Sequence, residues 1–176
     1  MRAEDRFMES AGFYRDWPVG RGIFFNDSMD IFIWLGEEDL FRIFSLEDDA
    51  DFNGAFTRLA SLHTALEEHF SFSFSDEWGY LNSCPSNVGT GMRASVHIRL
   101  PFLAENPSEL EKLCSEMQLQ IRGTSGEHTK FEQGIYDISN KTRLGSTEYE
   151  IVDSFSKSIQ QLIQLEKCLS RHKETA

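Results

Sequence analysis

The sequence is poor in cysteine, in proline and in positive charge. Its 176 residues include three Cys and four Pro, and 17 Lys plus Arg stand against 29 Asp plus Glu, for a formal net charge of −12. The shortage of basic residues argues against nucleic acid as a partner, because non-specific binding depends on Lys and Arg that neutralise phosphates. Cys84, Cys114 and Cys168 are an odd number without close spacing, which suggests neither a disulfide framework nor a cysteine zinc site. They fit reduced thiols in the cytoplasm.

Long apolar runs are also missing. No stretch approaches the roughly 18 apolar residues of a membrane span, and the polar N-terminus lacks the apolar region of a signal peptide. We therefore expect no membrane partner. Hydrophobic residues nonetheless make up 40% of the chain, and 15 of its residues are Phe. That content argues against disorder and predicts one compact domain.

Hydrophobic periodicity predicts strands and helices in mixed order. Strands are expected at 31–35, 40–44, 78–81, 94–100, 118–122 and 134–139, with the first two forming a hairpin. Helices are expected at about 3–14, 52–70, 107–117 and 147–171. Gly20-Arg21-Gly22 indicates a turn. Hairpins with helices between and after them predict an α+β fold, an antiparallel β-sheet flanked by helices.

Two of these helices carry recognisable features. The last one opens with a Thr147-x-x-Glu150 capping box, and its predicted apolar stripe consists of Tyr149, Val152, Phe155, Ile159, Leu162 and Leu169. The helix at 52–70 has His63 on its apolar face, where a packed histidine is favoured over a metal ligand.

Three polar segments, 37–42, 84–97 and 122–128, lie at strand ends or between strands, where function concentrates. Singly, each has an ordinary explanation. Asn87-Val88-Gly89 fits a turn, arginines are usually surface residues, and a lone cysteine is usually an inert buried thiol. Together they supply three separated arginines for a polyphosphate and carboxylates for a guanidinium. Phosphoryl transfer needs this kind of positioning and charge neutralisation.

The order of the motifs carries a resemblance to a known family. The motifs are Trp17-Pro18-x-Gly20-Arg21-Gly22-Ile23-Phe24, Glu37-Glu38-Asp39, Cys84-Pro85-Ser86-Asn87-Val88-Gly89-Thr90, Arg93-Ala94-Ser95-Val96-His97, Arg122-Gly123-Thr124-Ser125-Gly126-Glu127-His128 and Tyr136-Asp137-Ile138-Ser139-Asn140-Lys141. They closely resemble the C-terminal catalytic domain of phosphagen (ATP:guanidino) kinases, nearest to the arginine kinases. The resemblance implies that residues 1–176 form this domain, with its glutamine synthetase-like fold.

The resemblance also implies a role for each matching position. Glu38, Cys84 and Glu127 would be catalytic and would bind the guanidino substrate, with arginine as the favoured substrate. The implied ATP-binding residues are Arg42, Arg93, Ala94, Ser95, Val96, His97, Arg122, Gly123, Thr124, Ser125, Gly126, Glu127 and Asp137. Mg²⁺ is expected to arrive with ATP or ADP, bound by phosphates and water and not by a protein metal site.

Departures from the family pattern leave alternatives open. Whole enzymes of this family carry an N-terminal helical domain that this sequence does not show, so one expected partner is a separate polypeptide that supplies it. A homodimer is the alternative, because family members occur as monomers and as dimers. Ser125 replaces an arginine usual in arginine kinases, and Phe25 and Leu40 replace common histidines. Glu127 favours arginine-like over creatine-like substrates. The segment Gly89-Thr90-Gly91 is similar, through Gly91, to the bacterial protein-arginine kinases. The hypotheses are an arginine kinase-like phosphotransferase, a non-catalytic nucleotide-binding or interaction module, and a kinase of protein arginine.

Overall fold

The computed structural model describes Arg15 and residues 17–122 and 134–174. The chain divides into two units, Met1–Val88 (unit 1) and Gly89–Ala176 (unit 2). The predicted helix at 3–14 lies outside the described residues. So do the predicted site residues Gly123, Thr124, Ser125, Gly126, Glu127 and His128.

Unit 1 contains a three-stranded antiparallel sheet in the order β1-β2-β3. Its strands are β1 (Gly22–Phe25), β2 (Ile31–Leu35) and β3 (Phe41–Ser45), so the predicted hairpin is confirmed. Strand β1 was missed by the sequence prediction, which placed Gly22 in a turn. Its four residues show no alternation, and what makes them a strand is pairing with β2, from Gly22 opposite Leu35 to Phe25 opposite Phe32.

An aromatic cluster joins the remaining elements of unit 1. These are helix α1 (Phe52–Glu67) and the two-residue strands β4 (Phe74–Ser75) and β5 (Gly79–Tyr80). His63 of α1 stacks on Phe72 with ring centroids 5.1 Å apart and meets Tyr80 edge-on at 5.4 Å. The packed histidine predicted at 63 is therefore confirmed. Helix α1 ends three residues earlier than predicted, and β5 is shorter than the predicted strand at 78–81.

Unit 2 is built on a second antiparallel sheet in the order β6-β8-β7. It consists of β6 (Ser95–Arg99), β7 (Leu119–Arg122) and β8 (Ile135–Asn140), with α2 (Pro107–Glu116) and α3 (Glu148–Glu174) following β6 and β8. All three strands and both helices agree with the prediction to within a few residues. Because side chains alternate along a strand, β8 buries Tyr136 and Ile138 on one face and directs Asp137 to the other.

Helix α3 supplies much of the core of unit 2. Its capping box is confirmed, since the Glu150 amide donates to Thr147 Oγ1 at 3.2 Å and the Thr147 amide donates to Glu150 Oε2 at 2.8 Å. The predicted stripe is partly wrong, because Tyr149 and Leu169 are exposed. They lie in the first turn and near the far end of a 27-residue helix, beyond the buried middle. The buried residues of α3 are Ile151, Val152, Phe155, Ile159 and Leu162.

Antiparallel sheets with interspersed helices confirm the predicted α+β class. The searched part of the chain, residues 17–122 and 134–174, contains no helix with the length and hydropathy that crossing a bilayer requires. Cys114 is buried in unit 2, and this burial raises the pKa of its thiol to about 11. A thiol in such a site is unreactive at neutral pH.

Candidate functional site

The β2–β3 turn of unit 1 is a tightly specified structure. The Gly36 amide donates to the Leu40 carbonyl at 2.8 Å and closes the turn. Gly36 has φ +73°, and a Cβ there would lie 2.4 Å from Nη1 of Arg21 and 2.6 Å from the Gly20 carbonyl oxygen. Only glycine fits both the backbone angle and the space. Arg21 and Gly36, from separate motifs, thus shape the turn that carries Glu37, Glu38 and Asp39.

Arg42, a predicted phosphate ligand, lies on β3 directly opposite Trp34 of β2. Its guanidinium carbon is 5.5 Å from the centre of the Trp34 ring, which is within cation–π range. Nη1 of Arg42 donates to Oε1 of Glu37 at 2.5 Å. The Arg42 side chain is 37% exposed and that of Glu37 only 9%. The nearly buried carboxylate therefore anchors one edge of a guanidinium whose side chain is still partly exposed.

The three acidic residues of the β2–β3 turn lie in different environments. Glu38, the predicted substrate carboxylate, is exposed. Asp39 points inward and accepts hydrogen bonds from the Ser83 amide at 2.8 Å and from Nδ2 of Asn82 at 3.2 Å. Burial by itself would raise the pKa of Asp39, but the hydrogen bonds from Ser83 and Asn82 outweigh it and hold that pKa below its ordinary value. Asp39 thus fastens the turn to the segment that leads into Cys84.

Cys84, the predicted active-site thiol, is half-buried at the start of a short 3-10 helix, Pro85–Asn87. Its sulfur lies 3.0 Å from Oγ of Ser86. A serine hydroxyl at this distance can donate to a thiolate, which is the form in which cysteine reacts. Cys84 and the buried Cys114 are therefore in different environments.

In unit 2, one face of the sheet carries the predicted nucleotide-binding residues Ser95, His97, Arg122 and Asp137. The strand register places His97 of β6 opposite Asp137 of β8, and Asp137 opposite Arg122 of β7. Ser95 lies one row further along β6, opposite Ser139. Directly opposed residues of neighbouring strands have Cβ atoms about 4.5–5.5 Å apart. His97, Asp137 and Arg122 therefore form one polar row across three strands.

Arg93 precedes β6 and is held against this row by Asp137. Its Nη2 donates to both carboxylate oxygens of Asp137, at 2.8 and 2.7 Å, and its Nη1 donates to Oγ of Ser95 at 3.2 Å. The Arg93 side chain is 28% exposed and that of Asp137 is 14% exposed. Nε of Arg93 is buried and has no hydrogen-bond partner among the described residues. A guanidinium that is oriented and remains partly exposed suits a phosphate oxygen.

Three other predicted residues have more constrained positions. The Ala94 amide donates to Oδ1 of Asn140 at 2.8 Å, so it is already used. Val96 is opposite the buried Ile138 and lies on the face away from the polar row. Nη2 of Arg122 donates to Oε1 of Gln120 at 3.3 Å. Within the searched residues, 17–122 and 134–174, no three His, Cys, Asp or Glu side chains are grouped to hold a metal ion.

Comparison with known proteins identifies the family. Residues 2–169 match the model of the ATP:guanido phosphotransferase C-terminal catalytic domain. The chain belongs to this family. Among curated relatives, the arginine kinase of Penaeus japonicus is 48% identical over 163 residues, and that of Limulus polyphemus is 47% identical over the same length. Each alignment covers 93% of this chain and 46% of the relative, so the chain spans about half the length of the curated relatives it matches.

Solved structures of guanidino kinases have the same fold. The duplicated taurocyamine kinase of Schistosoma mansoni, solved with bound transition-state analogue components, superposes with a TM-score of 0.87 at 42% identity, covering 95% of this chain and 23% of the other. A lombricine kinase superposes with a TM-score of 0.84 at 33% identity, covering 98% and 53%. The resemblance stated from the motifs is thus confirmed for both family and fold.

Sequence reasoning missed two residues that shape these sites. One is Glu37, whose carboxylate binds Arg42 and for which no role was predicted. Asn140 binds the segment around Arg93. A usable signal existed for Asn140, because it is a polar residue two positions after the apolar Ile138 on the buried face of a strand.

Proposed function

We propose that this chain is the catalytic domain of an arginine kinase-like phosphotransferase, which transfers the γ-phosphoryl group of ATP reversibly to a guanidino nitrogen. Family membership and identity of up to 48% to curated arginine kinases support this reaction class. The structural observation that carries the proposal is Arg93, whose guanidinium is oriented by Asp137 and Ser95 while its side chain stays 28% exposed.

In unit 2, Arg93 and Arg122 would neutralise phosphate oxygens, and Ser95 and His97 would line the nucleotide. The residues present fit a polyphosphate, since charge-assisted bidentate bonds from arginine match its oxygens. Mg²⁺ would accompany the nucleotide through phosphate oxygens and water, and would neutralise part of its charge.

In unit 1, Glu38 is proposed to orient the substrate guanidinium, and Arg42 to bind phosphate. Glu38 is exposed on a turn that Gly36 and Asp39 hold in one conformation, so its carboxylate is available to a ligand. Cys84 would lie beside the guanidinium. Such a site accelerates transfer by aligning the reactants and by stabilising charge.

A coupled assay of ADP formation from Mg-ATP and arginine tests the proposal. We expect turnover by the chain and a loss of about 100-fold or more in Arg93→Ala, as when one charge-stabilising donor is removed. Arg171→Ala is the matched control, because Arg171 is exposed near the end of α3 and its removal changes the net charge equally. Equal turnover of Arg93→Ala and Arg171→Ala would contradict the role of Arg93.

A second candidate is a nucleotide-binding module without turnover, which the guanidinium oriented by Asp137 and Ser95 would serve equally well. Titration with ADP separates the two functions, since binding without turnover would support the module. Repeating the assay with the N-terminal half of a curated arginine kinase would then show whether activity is restored. Assays with creatine, taurocyamine and an arginine-containing protein would identify the acceptor.

A further inference from the structure

Asn140 is a polar residue at a position where the fold otherwise buries apolar side chains. It ends β8, two residues after Ile138 and four after Tyr136, so all three share one face of the strand. Asn140 is only 6% exposed. Burying an amide costs free energy unless it is hydrogen-bonded. The partners of Asn140 therefore indicate its role.

Those partners lie on both sides of Arg93. Oδ1 of Asn140 accepts from the Ala94 amide at 2.8 Å, and Nδ2 donates to the Met92 carbonyl at 3.2 Å. Nδ2 also donates to the Thr142 carbonyl at 2.8 Å. In addition, the backbone amide of Asn140 donates to the Ala94 carbonyl at 3.2 Å. The residues directly before and after Arg93 are thus fixed to the end of the central strand.

We infer that Asn140 is a positioning residue for Arg93, which gives it a part in nucleotide binding without contact to the nucleotide. The inference rests on the phosphate-binding role proposed above for Arg93. A long side chain presents its guanidinium reproducibly only where both of its ends are fixed. Asp137 fixes the guanidinium, and Asn140 fixes the backbone from which the side chain starts. A ligand that meets a preorganised arginine loses less free energy to ordering it.

A purely structural role for Asn140 predicts something different. Removing it would then lower the stability of unit 2 and weaken every property of the fold, whether or not Arg93 is present. If Asn140 acts through Arg93, its removal affects nucleotide affinity only while the Arg93 side chain exists. A double-mutant cycle measures this coupling.

The test is calorimetric titration of the 176-residue chain with ADP, at a temperature where each variant is folded by circular dichroism. We expect Asn140→Ala to weaken ADP binding about tenfold in the unsubstituted background and less than about twofold when Arg93 is already alanine. Asn140→Asp keeps the acceptor for the Ala94 amide but loses both donated hydrogen bonds. Its ADP affinity should lie between that of the unsubstituted chain and that of Asn140→Ala.

Ile159→Val is the control for stability, because it disturbs the core of unit 2 far in sequence from Arg93 and should leave ADP affinity unchanged. Equal weakening by Asn140→Ala in both backgrounds, or none in either, would overturn the inference while leaving the proposed function in place. Failure of the unsubstituted chain to bind ADP would contradict the proposed function, and the inference with it.

Discussion

The two units bury their apolar side chains to different degrees. Of the buried hydrophobic residues among those described, Ile33 is in unit 1 and all the others are in unit 2. Unit 1 has no shortage of aromatics, but many, such as Phe24, Phe25 and Phe74, are exposed. Burial of a large apolar side chain contributes about 1.5–3 kcal/mol. Among the described residues, unit 2 therefore has the larger buried apolar core.

Each unit also contains a predicted phosphate-binding arginine paired with a carboxylate. The pair in unit 2 depends more on the packed fold than the pair in unit 1. Arg42 and Glu37 are five residues apart, share one close contact and belong to a single hairpin. Arg93 and Asp137 are 44 residues apart and share two contacts across a sheet with a buried apolar face. The first pair can form locally. The second exists only when the sheet of unit 2 is assembled.

The largest changes in stability should come from substitutions that remove part of a buried apolar side chain. We expect Ile159→Ala in unit 2 to lower the free energy of unfolding toward the upper end of about 2–5 kcal/mol, and Ile33→Ala in unit 1 toward the lower end, because the surroundings of Ile33 are less completely packed. Urea denaturation followed by circular dichroism measures both. Amide hydrogen exchange should also be slower in β8 than in β2. Equal losses in the free energy of unfolding for the two variants would contradict the difference in packing between the two units.

The charge pair of unit 2 should come next. Asp137→Asn replaces a two-point charged contact with an amide whose NH₂ group faces the guanidinium of Arg93. We expect a loss of about 1–3 kcal/mol in stability, as for hydrogen bonds to charged groups, and weaker ADP binding in a calorimetric titration.

The matched control for Asp137→Asn is Asp153→Asn on α3, where an exposed Asp153–Lys157 pair spans one helical turn at 2.6 Å. That pair should contribute little. Tighter ADP binding by Asp137→Asn would mean that the carboxylate competes with phosphate for Arg93, contrary to the orienting role.

These two pairs also show how far the sequence predicts the site. Periodicity and capping signals predicted the strands and helices of unit 2, and the motifs identified the family. Arg93 and Asp137 were both singled out, but their contact depends on a register between strands that are distant in sequence. On the β2–β3 turn, the contact between Arg42 and Glu37 depends on how the turn directs its side chains, which the residue pattern alone does not specify. Strand β1 depends on pairing with β2, so its own four residues do not predict it.

The local pair of unit 1 should matter less to stability. We expect Glu37→Gln to cost about 0.5–1 kcal/mol, because Arg42 is more than one-third exposed and keeps its contact with Trp34. Glu68→Gln is a suitable control, since Glu68 is exposed in the same unit. Urea denaturation followed by tryptophan fluorescence measures unit 1 selectively, because Trp17, Trp34 and Trp78 all belong to it. A cost larger than that of Asp137→Asn would reverse the ranking of the two pairs.

The smallest effect should be an acid dependence of unit 1 that comes from Asp39. Its pKa in the folded chain lies below the ordinary value of 3.8. The ionised carboxylate therefore stabilises the folded state above about pH 3.8, and this contribution is lost as the pH falls through the lower, folded pKa. Asp39→Asn removes it at every pH.

The stability difference between the unsubstituted chain and Asp39→Asn, followed by tryptophan fluorescence, should thus be largest near pH 5 and should shrink toward pH 3. Asp30 has a pKa lowered by hydrogen bonds from Asn26 and Ser28, so both proteins retain some acid sensitivity, and only their difference isolates Asp39. A difference that is constant between pH 5 and pH 3 would show that the anchoring of Ser83 and Asn82 does not depend on the charge of Asp39. The turn that carries Glu38 would then owe its conformation to Gly36 and to side-chain shape.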